Sequence, residues 1–105
     1  MGKKRNKKQI LCDIIDAAQR QDKQYEGRGG SETGITMNAN LGGTFGKFYF
    51  SVASRGNLLQ EIKNDNGNKR YKPSERGKSY KKAVEESEKM FEPFSDIEKM
   101  LREQP

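Results

Sequence analysis

Apolar residues recur at helical spacing in the first half of the chain. Between Lys7 and Gln21 they fall every three or four positions and predict a first helix with one apolar face. The glycine-rich stretch Gln21 to Glu32 is expected to be a loop. Thr33 to Ala39 predicts a short second helix, in which Ile35 should turn inward and Met37 is a candidate for the same face.

The segment from Leu41 to Ala53 predicts a third helix with two different faces, which begins poorly because Gly42, Gly43 and Gly46 disfavour helix. Its inner face should be apolar and consist of Phe45, Phe48, Tyr49, Val52 and Ala53. Its outer face is small, polar and once positively charged, with Gly43, Thr44, Lys47, Ser51 and Ser54. Such a face suits close approach to the floor of a nucleic-acid groove. Phe50 lies at the border between the two faces.

A basic hairpin is predicted directly after the third helix. Its first strand is Leu58 to Lys63 and its return strand is Asn68 to Lys72. Asn66 and Gly67 favour a tight turn between them, because both residues tolerate positive φ. Ser74 then fits the cap position of a further helix, with an acid in the first turn.

The last segment, 80–105, has an apolar repeat of seven residues that is typical of a coiled coil. The seam consists of Tyr80, Ala83, Met90, Phe94, Ile97 and Leu101. Pro93 should either kink this long helix or end it near Glu92, with a short helix restarting behind Ser95. The seam could pack on its own domain or pair with a second copy, and pairing is favoured because the seam extends beyond what a small domain covers. The predicted organisation is a basic tail (1–8), a winged-helix domain (9–79) and a dimerisation helix (80–105).

Charge is unevenly distributed along the 105 residues, whose net charge is +6. The net charge is +3 over residues 1–41, +7 over 42–82 and −4 over 83–105. The basic middle predicts a polyanionic partner. Leu, Ile, Val and Phe together number only 18, so one copy buries a small core, and a homodimer would supply further burial.

Several classes of protein are disfavoured by composition. With no His and a single Cys, a structural zinc site and a Cys–His nucleophile are excluded, and Cys12 is interpreted as a small buried residue. The Glu-rich C-terminal segment indicates a helix face rather than an acid–base pair, so no enzyme activity, cofactor or small-molecule substrate is expected. No apolar run is long enough to cross a membrane. A cytoplasmic, nucleoid-associated protein is expected.

The helix and hairpin together predict binding to double-stranded DNA. Lys47, Lys69 and Arg70 are candidates for phosphate contacts, and Thr44 and Ser51 for contacts with base edges. Asn64 and Asn66 would contact DNA from the hairpin turn. The tail residues Lys3, Lys4 and Arg5 could lie in an adjacent minor groove or act only as an electrostatic tether, and the tether is favoured.

The chain resembles an archaeal family of small basic winged-helix DNA-binding proteins, the chromatin-associated 10a type. Two motifs carry the resemblance. A Thr-x-Ile-x-x-x-Ala-Asn-Leu motif matches Thr33, Ile35, Ala39, Asn40 and Leu41, and a Tyr-x-x-Thr-x-x-Gly motif matches Tyr71, Ser74 and Gly77, with Ser in place of Thr. Residues between the motifs match without a gap, and the resemblance covers about residues 5 to 101. It departs in the long loop Gln21 to Glu32, at Gly42-Gly43 and at Pro93.

This resemblance implies a dimeric winged-helix protein that binds duplex DNA, with the C-terminal helices paired as an antiparallel coiled coil. It leaves open whether the protein regulates transcription or packages DNA as chromatin. Two other functions remain open: a protein-interaction adaptor that uses the heptad helix, and an RNA-binding protein.

Overall fold

The computed structural model describes residues 5–63, 67–86 and 92–103, which form helices and one small two-stranded antiparallel sheet. The elements are α1 (Lys7–Gln24), α2 (Glu32–Asn38), α3 (Gly43–Arg55), β1 (Leu59–Lys63), β2 (Lys69–Pro73), α4 (Glu75–Glu86), a 3-10 turn (Glu92–Phe94) and α5 (Ser95–Leu101). The prediction of a mainly helical chain with a small hairpin is confirmed.

Helix α1 is the centre of the core and packs against α2, α3, α4 and β2. It begins in a capping box: Asn6 Oδ1 accepts a hydrogen bond from the Gln9 amide at 2.8 Å, and Gln9 Oε1 accepts one from the Asn6 amide at 3.0 Å. The helix ends at Gln24, almost one turn later than predicted. Its apolar face is fully buried, as the spacing predicts, and includes Ile10, Leu11, Ile14, Ile15 and Ala18.

The loop between α1 and α2 contributes a third strand-like element to the sheet. Gly30 and Tyr71 exchange two backbone hydrogen bonds, of 2.8 and 2.7 Å, so β2 is paired along both of its edges. Gly29 lies so close to β2 that a Cβ there would be 2.6 Å from the Tyr71 carbonyl oxygen, which explains a glycine at this position. Sequence periodicity could not show this pairing, because a single bridge has no repeating pattern.

The hairpin follows the predicted strands within one residue. Its register pairs Leu59 with Pro73 and Lys63 with Lys69, and Gly67 in the turn has φ of +78°. Ser74 caps α4 as predicted, because its Oγ accepts a hydrogen bond from the Gly77 amide at 2.9 Å.

Helix α3 has the predicted polar outer face, but its inner face differs in part. Tyr49, Val52 and Ala53 are buried, whereas Phe48 is only half-buried and the Phe45 side chain is 40% exposed. The prediction that Phe45 belongs to the core is therefore wrong. Phe50 takes the inward position instead, with its ring edge-on to Tyr71 at 4.9 Å between centroids. Hydrophobic spacing alone could not decide between the two rings, because the position of β2 determines which side of α3 is covered.

Met37 on α2 is also exposed, to 72%, so it does not share the inward face of Ile35. With seven residues α2 makes only two turns, and its single buried side chain is Ile35. A helix this short fills the space over α1 with one large apolar residue.

The long C-terminal helix is not confirmed by the described residues. After α4 and the undescribed residues 87–91, a 3-10 turn contains Pro93 and a seven-residue helix begins at Ser95. Of the two expected effects of Pro93, a short helix restarting behind it is the one observed.

The heptad positions are part of the chain's own core. Tyr80, Ala83, Phe94, Ile97 and Leu101 are at most 6% exposed, and the Tyr80 and Phe94 rings pack edge-on at 5.1 Å. The prediction that these residues form an exposed dimerisation seam is wrong, and Met90 lies outside the described residues. The chain has few large apolar residues, so the apolar residues of its C-terminal segment are needed in its own core. Helix α5 packs on α3 and covers an end of that helix that would otherwise be open.

The N-terminal boundary also differs from the sequence-based division. Arg5 and Asn6 precede α1 as ordered residues, and Lys7 and Lys8 belong to the helix itself. Lys7 Nζ donates to the Leu101 carbonyl at 2.5 Å, so this segment is tied to α5. Among the residues that the structure describes, no helix combines the length and hydrophobicity needed to cross a bilayer.

Candidate nucleic-acid interface

The outer face of α3 is the centre of the candidate interface. Thr44 and Lys47 are exposed and Ser51 is half-buried, and their spacing of three and four residues places them along one side of the helix. Lys47 forms no ion pair with any described residue. The whole of α3, residues 43–55, contains two basic residues and no acid. This arrangement leaves a cation available to an anionic partner.

A shallow groove of about 210 Å³ runs between α3 and the neighbouring elements. Lys47, Ser51 and Arg55 line it from α3, and Tyr71 lines it from β2. The polar face of α3 and the sheet therefore border one continuous surface, as the sequence-based hypothesis requires.

Two lysines face each other at the turn end of the hairpin. Lys63 is the direct cross-strand partner of Lys69, and both side chains are exposed. Directly opposed like charges destabilise a hairpin, and a bound anion removes that repulsion. The alternation along β2 puts Lys69 on the same sheet face as Tyr71, which packs against α3. The Lys63–Lys69 pair therefore extends the α3 side of the molecule.

Lys63 was missed by the sequence-based selection, which included Asn64, Asn66, Lys69 and Arg70 from this region. The hairpin register would have identified Lys63, because the residue of the first strand that lies as far from the turn as Lys69 must be the cross-strand partner of Lys69. Asn64 and Asn66 lie outside the described residues.

Arg70 has a structural role that the sequence did not indicate. Its Nε donates to the Arg28 carbonyl at 3.0 Å, and its Nη2 donates to the Gly29 carbonyl at 2.6 Å. The guanidinium also lies 4.8 Å from the centroid of the Tyr25 ring. The assignment of Arg70 as a leading phosphate contact is corrected, because the side chain clamps the α1–α2 loop to β2. Alternation along the strand also places it on the face opposite Lys69.

Arg5 is likewise engaged inside the fold rather than in a free tail. Its Nη1 donates to Asp13 Oδ2 at 2.6 Å and to the Ala39 carbonyl at 3.0 Å, and its Nη2 to the Asn40 carbonyl at 3.4 Å. The tether assignment is therefore corrected for Arg5. Lys3 and Lys4 lie outside the described residues.

Acidic side chains divide the interface into separate basic parts. Glu32 lines the groove, and Glu61 is the cross-strand partner of Tyr71. Burial raises the pKa of the Tyr71 hydroxyl, and the nearby charges of Glu61 and Glu32 raise this pKa further. Phosphates would therefore be repelled near Glu32 and Glu61 and attracted to Lys47 and to the Lys63–Lys69 pair.

The C-terminal end of α3 carries a second cation, which the sequence-based selection also omitted. Arg55 Nε donates to Ser51 Oγ at 3.1 Å, and its Nη2 lies 3.6 Å from Glu103 Oε1. Both side chains of this ion pair are more than half exposed, so the pair is weak and open to competition by phosphate.

Comparison of the chain with protein-family models, curated proteins and solved structures found no match. Within residues 5–63, 67–86 and 92–103, no cluster of three potential metal ligands occurs. What this surface can do chemically therefore follows from its own residues: an acid-free helix face and a lysine pair, which can bind a polyanion by charge.

Proposed function

We propose that this protein binds double-stranded DNA as a winged helix-turn-helix domain, with α3 in the major groove and the β1–β2 hairpin against the adjacent backbone. The observation that carries the proposal is the position of two basic groups on one side of the molecule. Lys47 is exposed on the acid-free face of α3, and Lys63 opposes Lys69 on the sheet face that continues from it.

The order of elements supports this proposal. The chain runs helix, single bridge at Gly30, two helices, and hairpin, and the bridge pairs with the second hairpin strand. A winged helix-turn-helix domain has this order, and the helix before its hairpin is the one that enters the groove. The resemblance to archaeal winged-helix proteins of the 10a type points to the same architecture, through residues that here form α2 and the start of α4.

Affinity in this proposal comes mainly from phosphate contacts. Lysines neutralise phosphates and release condensed counterions, so binding should weaken steeply with salt. Thr44 and Ser51 can touch base edges but lack the paired donors with which Arg recognises guanine or Asn recognises adenine. Moderate sequence preference is therefore expected, which suits either a chromatin-associated protein or a regulator with loosely defined sites.

The test is a salt-dependent titration of a fluorescent DNA duplex with matched pairs of substitutions. Lys63→Ala with Lys69→Ala should reduce the log–log salt slope by about 1.8, since each lost phosphate contact contributes roughly 0.9. Lys78→Ala with Lys82→Ala removes the same charge from exposed positions on α4 and should leave the slope unchanged. Equal losses in both double variants would reduce the effect to net charge and contradict the proposed interface.

A substitution that removes a negative charge, instead of a positive one, separates an effect on DNA binding from damage to the fold. Glu61→Gln removes a negative charge between the basic flanks and should tighten DNA binding by up to about fivefold, the upper range for exposed charge pairs. Few nonspecific defects increase affinity. If Glu61→Gln has no effect, phosphates do not approach the sheet face. An RNA duplex of the same sequence in competition tests the RNA-binding alternative.

The alternative of a protein-interaction adaptor was based on the apolar seam of the C-terminal segment, and most of this seam is buried. Five of its six seam residues lie in the chain's own core, so a partner helix cannot reach them in the described fold. Homodimerisation stays a prediction, and sedimentation at several protein concentrations, with and without duplex DNA, tests it. DNA binding as proposed here needs only residues of a single chain.

A further inference from the structure

Arg55, the last residue of α3, belongs to the same side of the helix as the candidate DNA contacts. Lys47, Ser51 and Arg55 follow one another at intervals of four residues, so they form one row along α3, and all three line the same groove. The Nε group of Arg55 donates to Ser51 Oγ at 3.1 Å, one turn back along this row. This hydrogen bond holds the guanidinium over the groove-lining face of α3.

The two terminal nitrogens of Arg55 keep their donors available to a partner. Arg5, Arg70 and Arg76 each donate to two backbone carbonyl groups. Arg55 donates to none among the described residues, and its Nη2 lies 3.6 Å from Glu103 Oε1, an ion pair too long for a hydrogen bond. The guanidinium is therefore oriented at Nε and presents Nη1 and Nη2 together at its outer edge.

The present partner of Arg55 indicates which chemical group can replace it. A carboxylate offers two neighbouring acceptor oxygens, to which a guanidinium donates two parallel hydrogen bonds. Guanine offers two neighbouring acceptors, O6 and N7, on its major-groove edge, and arginine contacts them in the same bidentate way. The Arg55 and Glu103 side chains are 51% and 59% exposed, so their ion pair is weak and guanine can displace the carboxylate.

The position of the guanidinium favours a base over a phosphate. In the proposed binding mode the outer face of α3 meets base edges, whereas phosphates line the walls of the major groove. Ser51 and Ser54 line the groove beside Arg55, and their small side chains allow this face to approach the groove floor. Lys47 can also donate to guanine, but its ammonium is a single charge on a flexible stem, whereas Ser51 orients the fork of Arg55.

We infer that Arg55 is a specificity-determining residue that donates from Nη1 and Nη2 to O6 and N7 of a guanine in the major groove. Glu103 occupies the guanidinium in the free protein and is displaced when guanine binds. This inference rests on the proposed DNA-binding function and names the base that the site recognises. Ser51 holds the guanidinium in place for this contact.

The experiment compares duplexes that differ only in the acceptors of guanine. A 20-base-pair alternating dG-dC duplex and the same duplex with 7-deazaguanine, which lacks the N7 acceptor, are titrated at fixed salt. Every base pair contains a guanine, so the test requires no known target sequence. Wild-type protein should prefer the guanine duplex by about fivefold or more, the low end of the discrimination that one bidentate pair gives. A duplex with inosine in place of guanine keeps O6 and N7 and should bind like the guanine duplex.

Substitutions at two positions of α3 separate a guanine contact from a phosphate contact. Arg55→Ala should bring the preference for guanine over 7-deazaguanine close to one. Arg55→Lys keeps the charge and should keep the salt slope, but it should reduce the preference, because an ammonium lacks the planar fork. Lys47→Ala is the matched control in the same row, and it should reduce the salt slope by about 0.9 and leave the preference intact.

A substitution at Glu103 gives a measurement that does not depend on the folding of Arg55→Ala. Glu103→Gln removes the competing carboxylate, so the preference for the guanine duplex should rise, by up to about fivefold. Glu86→Gln removes the same charge from an exposed ion pair with Lys82 on α4 and should leave the preference unchanged.

Equal binding of the guanine and 7-deazaguanine duplexes by wild-type protein overturns the inference while DNA binding stands. A preference that Arg55→Ala leaves intact, or that Lys47→Ala abolishes, overturns it as well, and the second result would assign the guanine contact to Lys47. An unchanged preference in Glu103→Gln overturns the exchange of partners at Arg55. Absence of duplex binding overturns the proposed function together with the inference.

Discussion

Replacing Arg70 distinguishes the sequence-based role of this residue from the structural one. The sequence suggests a phosphate contact, because Arg70 lies in a basic strand. In the structure its guanidinium bridges the Arg28 and Gly29 carbonyls and lies over the Tyr25 ring. Arg70→Ala should therefore lower the stability of the fold and leave the salt dependence of DNA binding largely unchanged.

The expected loss follows from the contacts removed. A hydrogen bond from a charged donor contributes about 1.5–3 kcal/mol when buried, and the two here are only partly shielded, so roughly 1–1.5 kcal/mol together is reasonable. The cation–π contact adds about 0.5–1 kcal/mol at an exposed site. A total near 2 kcal/mol corresponds to a fall in Tm of roughly 8–16 °C for a domain of this size.

Thermal and urea unfolding, followed by circular dichroism, measure this loss, and Lys69→Ala is the matched control. Lys69 precedes Arg70 on the same strand, is exposed and forms no ion pair with a described residue. Lys69→Ala should keep the wild-type Tm or raise it slightly, because it removes the repulsion from Lys63, and it should reduce the salt slope by about 0.9, in contrast to the Arg70→Ala result. Arg70→Lys should recover less than half of the loss, since one ammonium cannot reproduce the planar fork.

The reasoning would be refuted by an Arg70→Ala protein with unchanged Tm and a salt slope reduced by about one. That result would return Arg70 to the DNA interface and make its carbonyl contacts incidental. Arg70→Ala that lost both stability and slope would show a shared role. The titrations are made below the Tm of the variant, so that unfolded protein does not imitate a loss of affinity.

Three further predictions concern residues outside the candidate interface. Gly77→Ala should destabilise the fold by about 2–3 kcal/mol in urea unfolding, although Gly→Ala usually favours a helix, because its Cβ would lie 2.1 Å from the Leu58 carbonyl oxygen. The hydrogen bond from Arg76 lowers the pKa of Asp96 below its ordinary value of 3.8. The ionised Asp96 carboxylate therefore contributes its full stabilisation of the fold above that pH, and this stabilisation is lost as the pH falls through the lowered pKa. Asp96→Asn should flatten this acid dependence of the free energy of unfolding in urea titrations. Burial, with the charge of Asp16, raises the pKa of the Cys12 thiol to about 12, so thiol reagents at pH 8 should label it only on unfolding.

The elements that local patterns specify were predicted well. Helix α1, the polar face of α3, the two hairpin strands and the cap at Ser74 all follow from spacing, turn chemistry or capping within a few residues of sequence. These features depend on neighbouring residues only, which is why the sequence specifies them without knowledge of the fold.

The features that sequence missed depend on contacts between distant segments. A seven-residue repeat of apolar positions is compatible with both a coiled coil and a helix buried in its own domain, and only the packing of α5 on α3 selects the second. Similarly, the exposure of Phe45 and the burial of Phe50 are decided by Tyr71, which lies more than 20 residues away. For the candidate site, the sequence located the basic helix and hairpin, but it could not separate cations engaged in the fold from cations available to a partner.

For several of these cations the separation follows the chemistry of the two basic side chains, although Lys7 is tied to the Leu101 carbonyl and Arg55 lines the groove beside α3. The arginines Arg5, Arg28, Arg70 and Arg76 donate to backbone carbonyl groups, and Arg76 bridges Gly56, Pro93 and Asp96 to hold the C-terminal segment. A planar guanidinium with five donors can connect several acceptors of irregular loops, whereas an ammonium is a compact charge on a flexible stem. Lys47, Lys63 and Lys69 remain exposed on the α3 side. Arg70 and Arg76 thus stabilise a domain with few large apolar residues, and Lys47, Lys63 and Lys69 leave their charge for a polyanion. Arg76→Lys should therefore damage folding, and Lys69→Arg should preserve the proposed DNA binding.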